Sequence, residues 1–257
     1  MQKLITFLFI LLPCTAYSSA ESSGLPDFDM TPVNVSEHVW YVKGKAGTAT
    51  ENAGFVSNAG FVITGDGVVI FDGLGTPVLA SMMLKEIRKL TQEPIRKVVV
   101  SHYHADHVYG LQVFKKEGAE ILAPVGAIDY LNSDSAESRL EERRVSLAPW
   151  VDDDTKLIPP DRYLTESEDF KMGGIEFTIS MLGSAHSEGD LTLFVKPDRV
   201  LFSGDVIFDE RVPWLGDADT VNWLQTLNDI KSSKPAAIIP GHGGLSSDPQ
   251  ALIKLTH

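Results

Sequence analysis

Short apolar runs alternate with turn residues along most of the chain, and this pattern predicts a strand-rich fold. Apolar runs of roughly four to eight residues bounded by glycine, proline, asparagine or aspartate are typical of β-strands. They predict strands at residues 39–42, 68–71, 97–100, 121–123, 170–172, 175–181, 191–195, 199–202 and 237–239, with a strand or hairpin at 53–63. The turn-rich connections 64–67, 173–174 and 196–198 predict antiparallel hairpins.

Four segments between these strands have helical periodicity, at residues 77–90, 108–116, 129–145 and 222–230. In the first, an apolar face is followed by the stop signal Pro94. That face comprises Leu79, Met82, Met83, Ile87 and Leu90. The predicted inward face of the last comprises Trp223, Leu224, Leu227 and Ile230. A helix-start signal at 246–249 predicts a final short helix that docks through Ala251, Leu252 and Leu255.

The order of these elements indicates the architecture. Two βαβ-like halves, each with hairpins and outer helices, predict two packed sheets covered by helices on both sides. A chain of 257 residues is long enough to bury one sizeable core, and α/β chains of this length often form one domain. No close internal repeat is present.

The N-terminus has the pattern of a secretory signal peptide. Lys3 precedes an apolar run at 4–12, and then come Pro13 and small residues up to Ala20. The run is too short to span a bilayer. We expect cleavage after Ala20, which leaves a mature domain of residues 21–257 that is exported to the periplasm or secreted. A lipoprotein signal at Cys14, the only cysteine, is the alternative, but the preceding proline fits it poorly.

Composition and charge narrow the class of partner. Apolar residues make up 43% and charged residues 22% of the chain, as in ordinary globular proteins. The net charge is −13 and no run of lysine or arginine is present, which argues against nucleic acid as a partner. We therefore expect a small-molecule substrate, with no nucleic acid and no membrane span.

Metal-binding residue types crowd the end of the strand predicted at 97–100. Three of the seven histidines, His102, His104 and His107, lie within six positions and flank Asp106. Imidazole and carboxylate groups suit zinc and similar divalent ions. Because residues two apart in an extended segment point the same way, His102 and His104 can reach one ion, and Asp106 and His107 a second. A histidine-rich surface loop is the alternative interpretation.

Three later strand ends each supply one more residue of this kind. His186, Asp205 and His242 follow the strands predicted at 175–181, 199–202 and 237–239, beside glycines that allow tight turns. Any one of them alone would usually be structural. Together they complete two sites: His102, His104 and His186 on a first ion, Asp106, His107 and His242 on a second, with Asp205 between them.

The order His102-x-His104-x-Asp106-His107, then His186, Asp205 and His242, resembles the metallo-β-lactamase superfamily of metallohydrolases over roughly 33–243. The resemblance implies an α+β fold, the αββα sandwich of two mixed sheets flanked by helices, with the metals in a cleft at one edge of the sheets. Asp72 matches the carboxylate that lies behind the ligands in this family.

The residue at position 205 bears on the subgroup. An aspartate there is similar to the glyoxalase II, lactonase and sulfatase-like branches, whereas a cysteine would resemble the main zinc β-lactamases. The segment 202–243 resembles the exported branch associated with sulfur-oxidation and quinoprotein systems. Two features depart from the family: Tyr109-Gly110 replaces the usual Gly-Gly, and relatives usually continue beyond residue 257 through a longer helix.

The resemblance implies a two-metal hydrolase with two zinc ions, iron or manganese being possible instead. A hydroxide bridging the ions would attack an ester, thioester, lactone or β-lactam bond, because metals lower the pKa of water from about 15.7 toward roughly 7–9. Asp106 is the candidate catalytic residue, orienting the nucleophile. The alternative is a single-iron persulfide dioxygenase, whose ligands match His102, His186 and Asp205. A metal-dependent binding protein is a third hypothesis. Substrate selectivity is expected in the loops 43–52 and 150–160.

Overall fold

Both predicted sheets are present in the computed structural model, which describes residues 29–246 and 248–256. The predicted signal peptide, residues 1–20, lies outside the described residues. One sheet contains, in spatial order, β1 (Val33–Asn34), β2 (Val39–Val42), β3 (Ala59–Ile63), β4 (Val68–Phe71), β5 (Ile95–Val99), β6 (Glu120–Pro124) and β7 (Arg162–Leu164). The other has the order β12-β11-β10-β9-β8, and its strands are β8 (Glu168–Met172), β9 (Ile175–Gly183), β10 (Asp190–Val195), β11 (Val200–Phe202) and β12 (Ala237–Ile239).

The helices cover the outer faces of the two sheets. They are α1 (Pro77–Leu90), α2 (Ala105–Val108), α3 (Leu111–Lys116), α4 (Ala127–Leu131), α5 (Asp134–Ser146), α6 (Thr220–Ser233) and α7 (Pro249–Thr256), with a short 3₁₀ helix at Gly204–Val206. Within the described ranges, no helix is both long and apolar enough to cross a membrane.

Each sheet mixes parallel and antiparallel pairs. Strands β2, β3 and β4 are antiparallel neighbours, as the predicted hairpins require, and β4, β5, β6 and β7 run parallel. In the second sheet β11 and β12 are parallel and the other pairs antiparallel. Parallel strands finish at the same edge, so β4 and β5, and likewise β11 and β12, deliver the residues that follow them to one end of their sheet. The predicted αββα sandwich is confirmed.

Apolar side chains between the sheets form the central core. Strand β9 alternates buried and more exposed positions, which turns Phe177 and Ile179 toward the other sheet. The rings of Phe71 and Phe202 stack across the interface with their centroids 5.3 Å apart. Burial of such side chains contributes about 1.5–3 kcal/mol each, so this layer supplies much of the stability that holds the sheets together.

Two further cores lie beneath the outer helices. On one side, Met83 of α1 and Phe114 of α3 pack against the first sheet. On the other, Trp223 of α6 and Leu252 of α7 pack against the second. The ends of α1 follow from its sequence: the side chain of Thr76 accepts a hydrogen bond from the Leu79 amide, and proline occupies the first turn.

The structure corrects several predicted elements. Residues 53–57 form turns rather than strand, so that only β3 remains of the segment 53–63. Of the helix predicted at 108–116, residue 108 is the end of α2 and residues 111–116 form α3, with the break at Gly110, where a Cβ atom would overlap the carbonyl oxygen of Gly73. The helix predicted at 129–145 is divided before Ser133, whose side chain caps α5. The short edge strands β1 and β7 carry too little periodicity to be predicted.

Four residues predicted to face inward are exposed. Leu90 is 50% exposed in the last turn of α1, and Leu224 is 42% exposed in α6, where Thr226 is buried instead. In α7, Ala251 is exposed and Leu255 is 69% exposed, so that of the three predicted docking residues only Leu252 is buried, together with Ile253. In each case the rest of the protein covers a narrower strip of the helix than its apolar face. The periodicity of the sequence does not reveal how wide that covered strip is.

A prediction follows from the close approach of the sheets at Gly60, where a Cβ atom would overlap the ring of Phe202. Gly60→Ala should lower the free energy of unfolding by about 1–3 kcal/mol, because overpacking forces side chains and backbone to shift. The double variant Gly60→Ala/Phe202→Leu should be more stable than the sum of the single effects, since the smaller side chain relieves the overlap. Urea denaturation measures all three.

Gly244→Ala is the matched control. The new methyl group would lie 3.3 Å from Oδ2 of Asp209 and 3.5 Å from Oε1 of Glu210, both ends of flexible side chains. We expect a change within about 0.5 kcal/mol for this variant. Equal stability of Gly60→Ala and the unaltered protein would show that the sheets are not in tight contact at this point.

Candidate metal centre

The seven predicted metal-binding residues lie together at one edge of the sandwich. Each of them lies shortly after the end of a strand or in the first turn of a helix. His102, His104, Asp106 and His107 follow β5, His186 follows β9, Asp205 lies in the 3₁₀ helix after β11, and His242 follows β12. The structure thus brings together every residue that the sequence selected.

Four of these residues form a first group, His102, His104, His186 and Asp205, whose ligand-type atoms lie within 4.8 Å of one another. Nδ1 of His104 is 3.1 Å from Nε2 of His186. Oδ2 of Asp205 is 3.4 Å from the same Nε2 and 4.0 Å from Nε2 of His102. Three imidazoles and one carboxylate therefore converge on one point.

Asp106, His107 and His242 form a second group at the same separation limit. Oδ2 of Asp106 is 3.3 Å from Nε2 of His242 and 3.7 Å from Nε2 of His107. Asp205 lies between the groups: its Oδ1 is 3.1 Å from Nε2 of His107, while its Oδ2 is 3.4 Å from Nε2 of His186 in the first group and 3.2 Å from Nε2 of His242 in the second. This arrangement matches the division into two sets that the sequence predicted.

Asp72 orients two of the histidines from beneath. Its carboxylate, at the end of β4, accepts hydrogen bonds from the Ser101 amide at 2.7 Å, from Oγ of Ser101 at 2.8 Å and from Nδ1 of His107 at 2.9 Å. Because Oγ of Ser101 donates to Asp72, it accepts from Nδ1 of His102, 2.9 Å away. Both rings are thereby fixed with Nε2 turned toward the cluster. The sequence pointed to Asp72, but Ser101 carried no signal that singled it out.

His242 is held in the same way by the backbone. Its Nδ1 lies 2.7 Å from the carbonyl oxygen of Val56, in the turn segment that precedes β3. Donation from Nδ1 leaves Nε2 free to face Asp106 and Asp205. The carbonyl of Val56 is a second orienting group that sequence reasoning did not find, because any residue type could supply it.

The donor set fits a divalent cation. Nε2 of His102, Nε2 of His107 and Oδ1 of Asp205 are buried and make no hydrogen bond within the described residues, although the last two lie 3.1 Å apart. Buried polar atoms without a partner are costly and need an explanation. Convergent imidazole nitrogens and carboxylate oxygens are the ligands that divalent metals take, and the rings of His102, His107 and His242 are each oriented by a hydrogen bond at their other nitrogen.

Burial and charge set the protonation of these groups. Burial, followed by the neighbouring His107 and His104, holds the pKa of His102 well below its ordinary value, so this ring is neutral. Burial alone would raise the pKa of Asp205, but His242 and His107 outweigh it and hold that pKa well below the ordinary value. Against its own burial, His242 has its pKa raised to about 9 by Asp205 and Asp106. A bound cation displaces protons held in this way.

Two loops next to the cluster are joined to each other. Asp106 and His104, whose side chains are 27% and 25% exposed, are its accessible members. Nζ of Lys43 pairs with the Glu210 carboxylate at 3.0 Å, and Nη2 of Arg211 donates to the carbonyl of Gly47 at 2.6 Å. The predicted substrate loop 43–52 is therefore joined to the loop 209–217, which the sequence did not identify.

Comparisons with known proteins agree with this geometry. A model of the metallo-beta-lactamase superfamily matches residues 52–242. The metallo-beta-lactamase IND-1 of Chryseobacterium indologenes is 23% identical over 248 residues, which cover 94% of this chain and 92% of the relative. The acyl-coenzyme A thioesterase MBLAC2 of Gallus gallus is 29% identical over 157 residues, 56% of this chain and 55% of the relative.

Solved structures support the fold. The metallo-beta-lactamase from Pontibacter korlensis superposes with a TM-score of 0.68 at 20% identity, over 88% of this chain and 95% of that chain. The relatives named here are hydrolases, which does not favour the dioxygenase alternative, and the narrower subgroup stays a prediction. With its fold, its histidine and aspartate cluster and the family match over most of its length, the chain belongs to the metallo-beta-lactamase superfamily and is a metal-dependent hydrolase.

Proposed function

We propose that this protein is a two-zinc hydrolase. In this proposal His102, His104 and His186 would bind one zinc ion, Asp106, His107 and His242 would bind the other, and Asp205, which lies between the two sets, would serve both. Iron or manganese could replace zinc, because the same histidine and carboxylate ligands suit those metals.

The position of Asp205 is the observation on which the proposal rests. Its carboxylate contacts histidines of both groups: Oδ1 lies 3.1 Å from Nε2 of His107, and Oδ2 lies 3.4 Å from Nε2 of His186 and 3.2 Å from Nε2 of His242. A single-iron enzyme needs only the first group. Here the three residues of the second group also converge, and each is oriented or charged as a ligand would be. This completeness favours two cations over one.

The chemistry divides between the ions and the protein. Two divalent ions held by these residues would supply a water of lowered pKa and Lewis acidity toward the bond to be cleaved. Asp106 is the catalytic residue of the protein in this proposal. Its carboxylate is held ionised, because His107 and His242 outweigh the effect of burial on its pKa, and it is accessible enough to accept a hydrogen bond from the attacking water and orient it.

The substrate class is an ester, thioester, lactone or β-lactam. Relatives named as a β-lactamase and as an acyl-coenzyme A thioesterase both cleave acyl bonds, and in both cases water must attack a carbonyl carbon. The proposal extends to location: residues 1–20 direct export, and residues 21–257 form the mature enzyme in the periplasm or outside the cell.

A panel of acyl substrates tests the reaction class. Mature protein loaded with zinc should hydrolyse at least one of an acyl thioester, an aryl ester, a lactone and nitrocefin, and chelation should abolish the rate. Oxygen uptake with glutathione persulfide, in the absence of any hydrolysis, would instead support the single-iron alternative. Weak turnover of nitrocefin alone would identify hydrolysis but not the natural substrate.

Replacement of one ligand tests the metal assignment. His107→Ala should lose one of two metal equivalents and most of the hydrolytic rate, because it removes a ligand from the second group. Elemental analysis gives the metal content and initial rates give the activity. The matched control is His38→Ala, a histidine paired with Asp198 outside the cluster, which should keep both. Full metal content in His107→Ala would contradict the assignment.

Asp72→Asn tests the group that orients the ligands. An amide nitrogen in place of one oxygen would face the hydrogens of His107 or Ser101, so these donors would lose their acceptor. Metal affinity should fall about 10- to 100-fold, as is usual when such a partner is lost, and competition with a chromophoric chelator measures it. Asp198→Asn, which alters a buried carboxylate that pairs with His38 instead, should leave the affinity unchanged. An equal loss in both variants would point to general destabilisation.

A further inference from the structure

A cavity of about 200 Å³ opens beside Asp106, next to the metal centre. Much of its wall is small or apolar, including Gly54, Val56 and Leu147, but Arg143 and Arg211 also line it. Pockets that enclose a whole drug-sized ligand measure roughly 300–1,000 Å³. This cavity is smaller, so it suits one end of a substrate whose reacting bond lies over the metal centre.

Arg143 reaches the cavity from α5, outside all of the metal-binding segments. Its side chain is only 23% exposed, and its nearest carboxylate is that of Glu142, 3.5 Å from Nε. Within the described ranges, no group accepts a hydrogen bond from the Arg143 guanidinium. A partly buried guanidinium carries five donors and needs acceptors, preferably an anion that it can bind with two parallel hydrogen bonds.

Arg211 faces the same cavity with an unsatisfied donor. Its Nη1 lies 2.9 Å from Nδ1 of His242, but that nitrogen already donates to the carbonyl of Val56 at 2.7 Å. When His242 turns the lone pair of Nε2 toward the metal centre, Nδ1 carries the hydrogen. Two donors then face each other, so Nη1 has no acceptor there. An anion in the cavity would provide one.

A third polar group lies on the same wall. Tyr109, which is fully buried, also lines the cavity. Apart from Asp106 at the metal centre, the charged groups that line the cavity are the two arginines.

We propose that Arg143 and Arg211 bind an anionic group at the far end of the substrate, so that the enzyme selects acyl compounds that carry a second negative charge. The anion is a carboxylate or a phosphoryl group, since both accept bidentate hydrogen bonds from arginine. Arg143 is the specificity-determining residue, because Arg211 also supports the loop around Gly47. This inference rests on the proposed function, in which the bond to be cleaved lies beside Asp106.

Binding of small acids to the metal-loaded mature protein tests the proposal without requiring turnover. Succinate, glutarate and adipate are each compared with their monomethyl esters by calorimetry. Every compound can place one carboxylate on the metal centre, but only the diacids offer a second to the arginines. One diacid should bind about tenfold tighter than its ester, a difference of about 1.4 kcal/mol. Replacing succinate by 3-phosphonopropionate distinguishes a phosphoryl preference from a carboxylate preference.

The variants locate this preference. In Arg143→Gln, the ratio of the affinities for the diacid and its monomethyl ester should fall to less than about threefold. Arg143→Lys should restore part of this ratio, because lysine keeps the charge but not the bidentate geometry. Arg139→Gln is the matched control, a change of an exposed arginine one turn earlier on the same helix. It should keep the full preference. Metal content and circular dichroism of each sample show that fold and centre are intact.

Three outcomes would overturn the proposal: equal binding of diacid and ester by the unaltered protein, full preference in a folded Arg143→Gln, or equal loss in Arg139→Gln. Should Arg143→Gln fail to fold, Arg211→Gln with full metal content gives the same test from the other side of the cavity. The two proposals would fail in different measurements. Full metal content in His107→Ala would contradict the two-zinc assignment, whereas equal binding of diacid and monomethyl ester would contradict the anion-binding proposal.

Discussion

The carboxylate of Asp72 is the constraint on which the metal centre depends. It is 1% exposed, and burial raises its pKa even though His107 and Ser101 stabilise its charge. Its backbone has a φ of 64°, a conformation that aspartate tolerates better than most residues. That turn directs the side chain under the loop that follows β5, where one carboxylate fixes the Ser101 amide and, directly or through Oγ of Ser101, two imidazoles. The strain and the burial are offset by these hydrogen bonds.

Much of the fold could be predicted from local patterns, because most strands are short apolar runs closed by turns. Strand β12 and helix α1 have the predicted bounds. The wrong predictions of buried positions and of helix boundaries share a cause. Whether Leu90 or Leu224 is covered depends on how far a neighbouring layer extends, and the break before Ser133 depends on a cap that competes with a continuous helical pattern. Such outcomes are decided by tertiary contacts, which periodicity does not contain.

The candidate site likewise contains residues that the sequence could indicate and others that only the structure reveals. Its seven predicted ligands could be grouped from order and residue type alone, because each lies near a strand end or helix start and the chemistry of imidazole and carboxylate is specific. Residues that act through the backbone or from distant helices carry no such signal. The carbonyl of Val56 and the guanidinium of Arg143 became visible only when the fold placed them beside His242 and Asp106.

Each group of the metal centre takes residues from both sheets. In the proposed ligation, His102 and His104 share an ion with His186, while Asp106 and His107 share one with His242. Neither half of the chain can hold its ion alone, so each cation would act as a cross-link between the two sheets. A growing chain cannot complete the second site before residue 242 has been made. Metal capture would then be one of the last events of folding, and it would report that both halves have docked correctly.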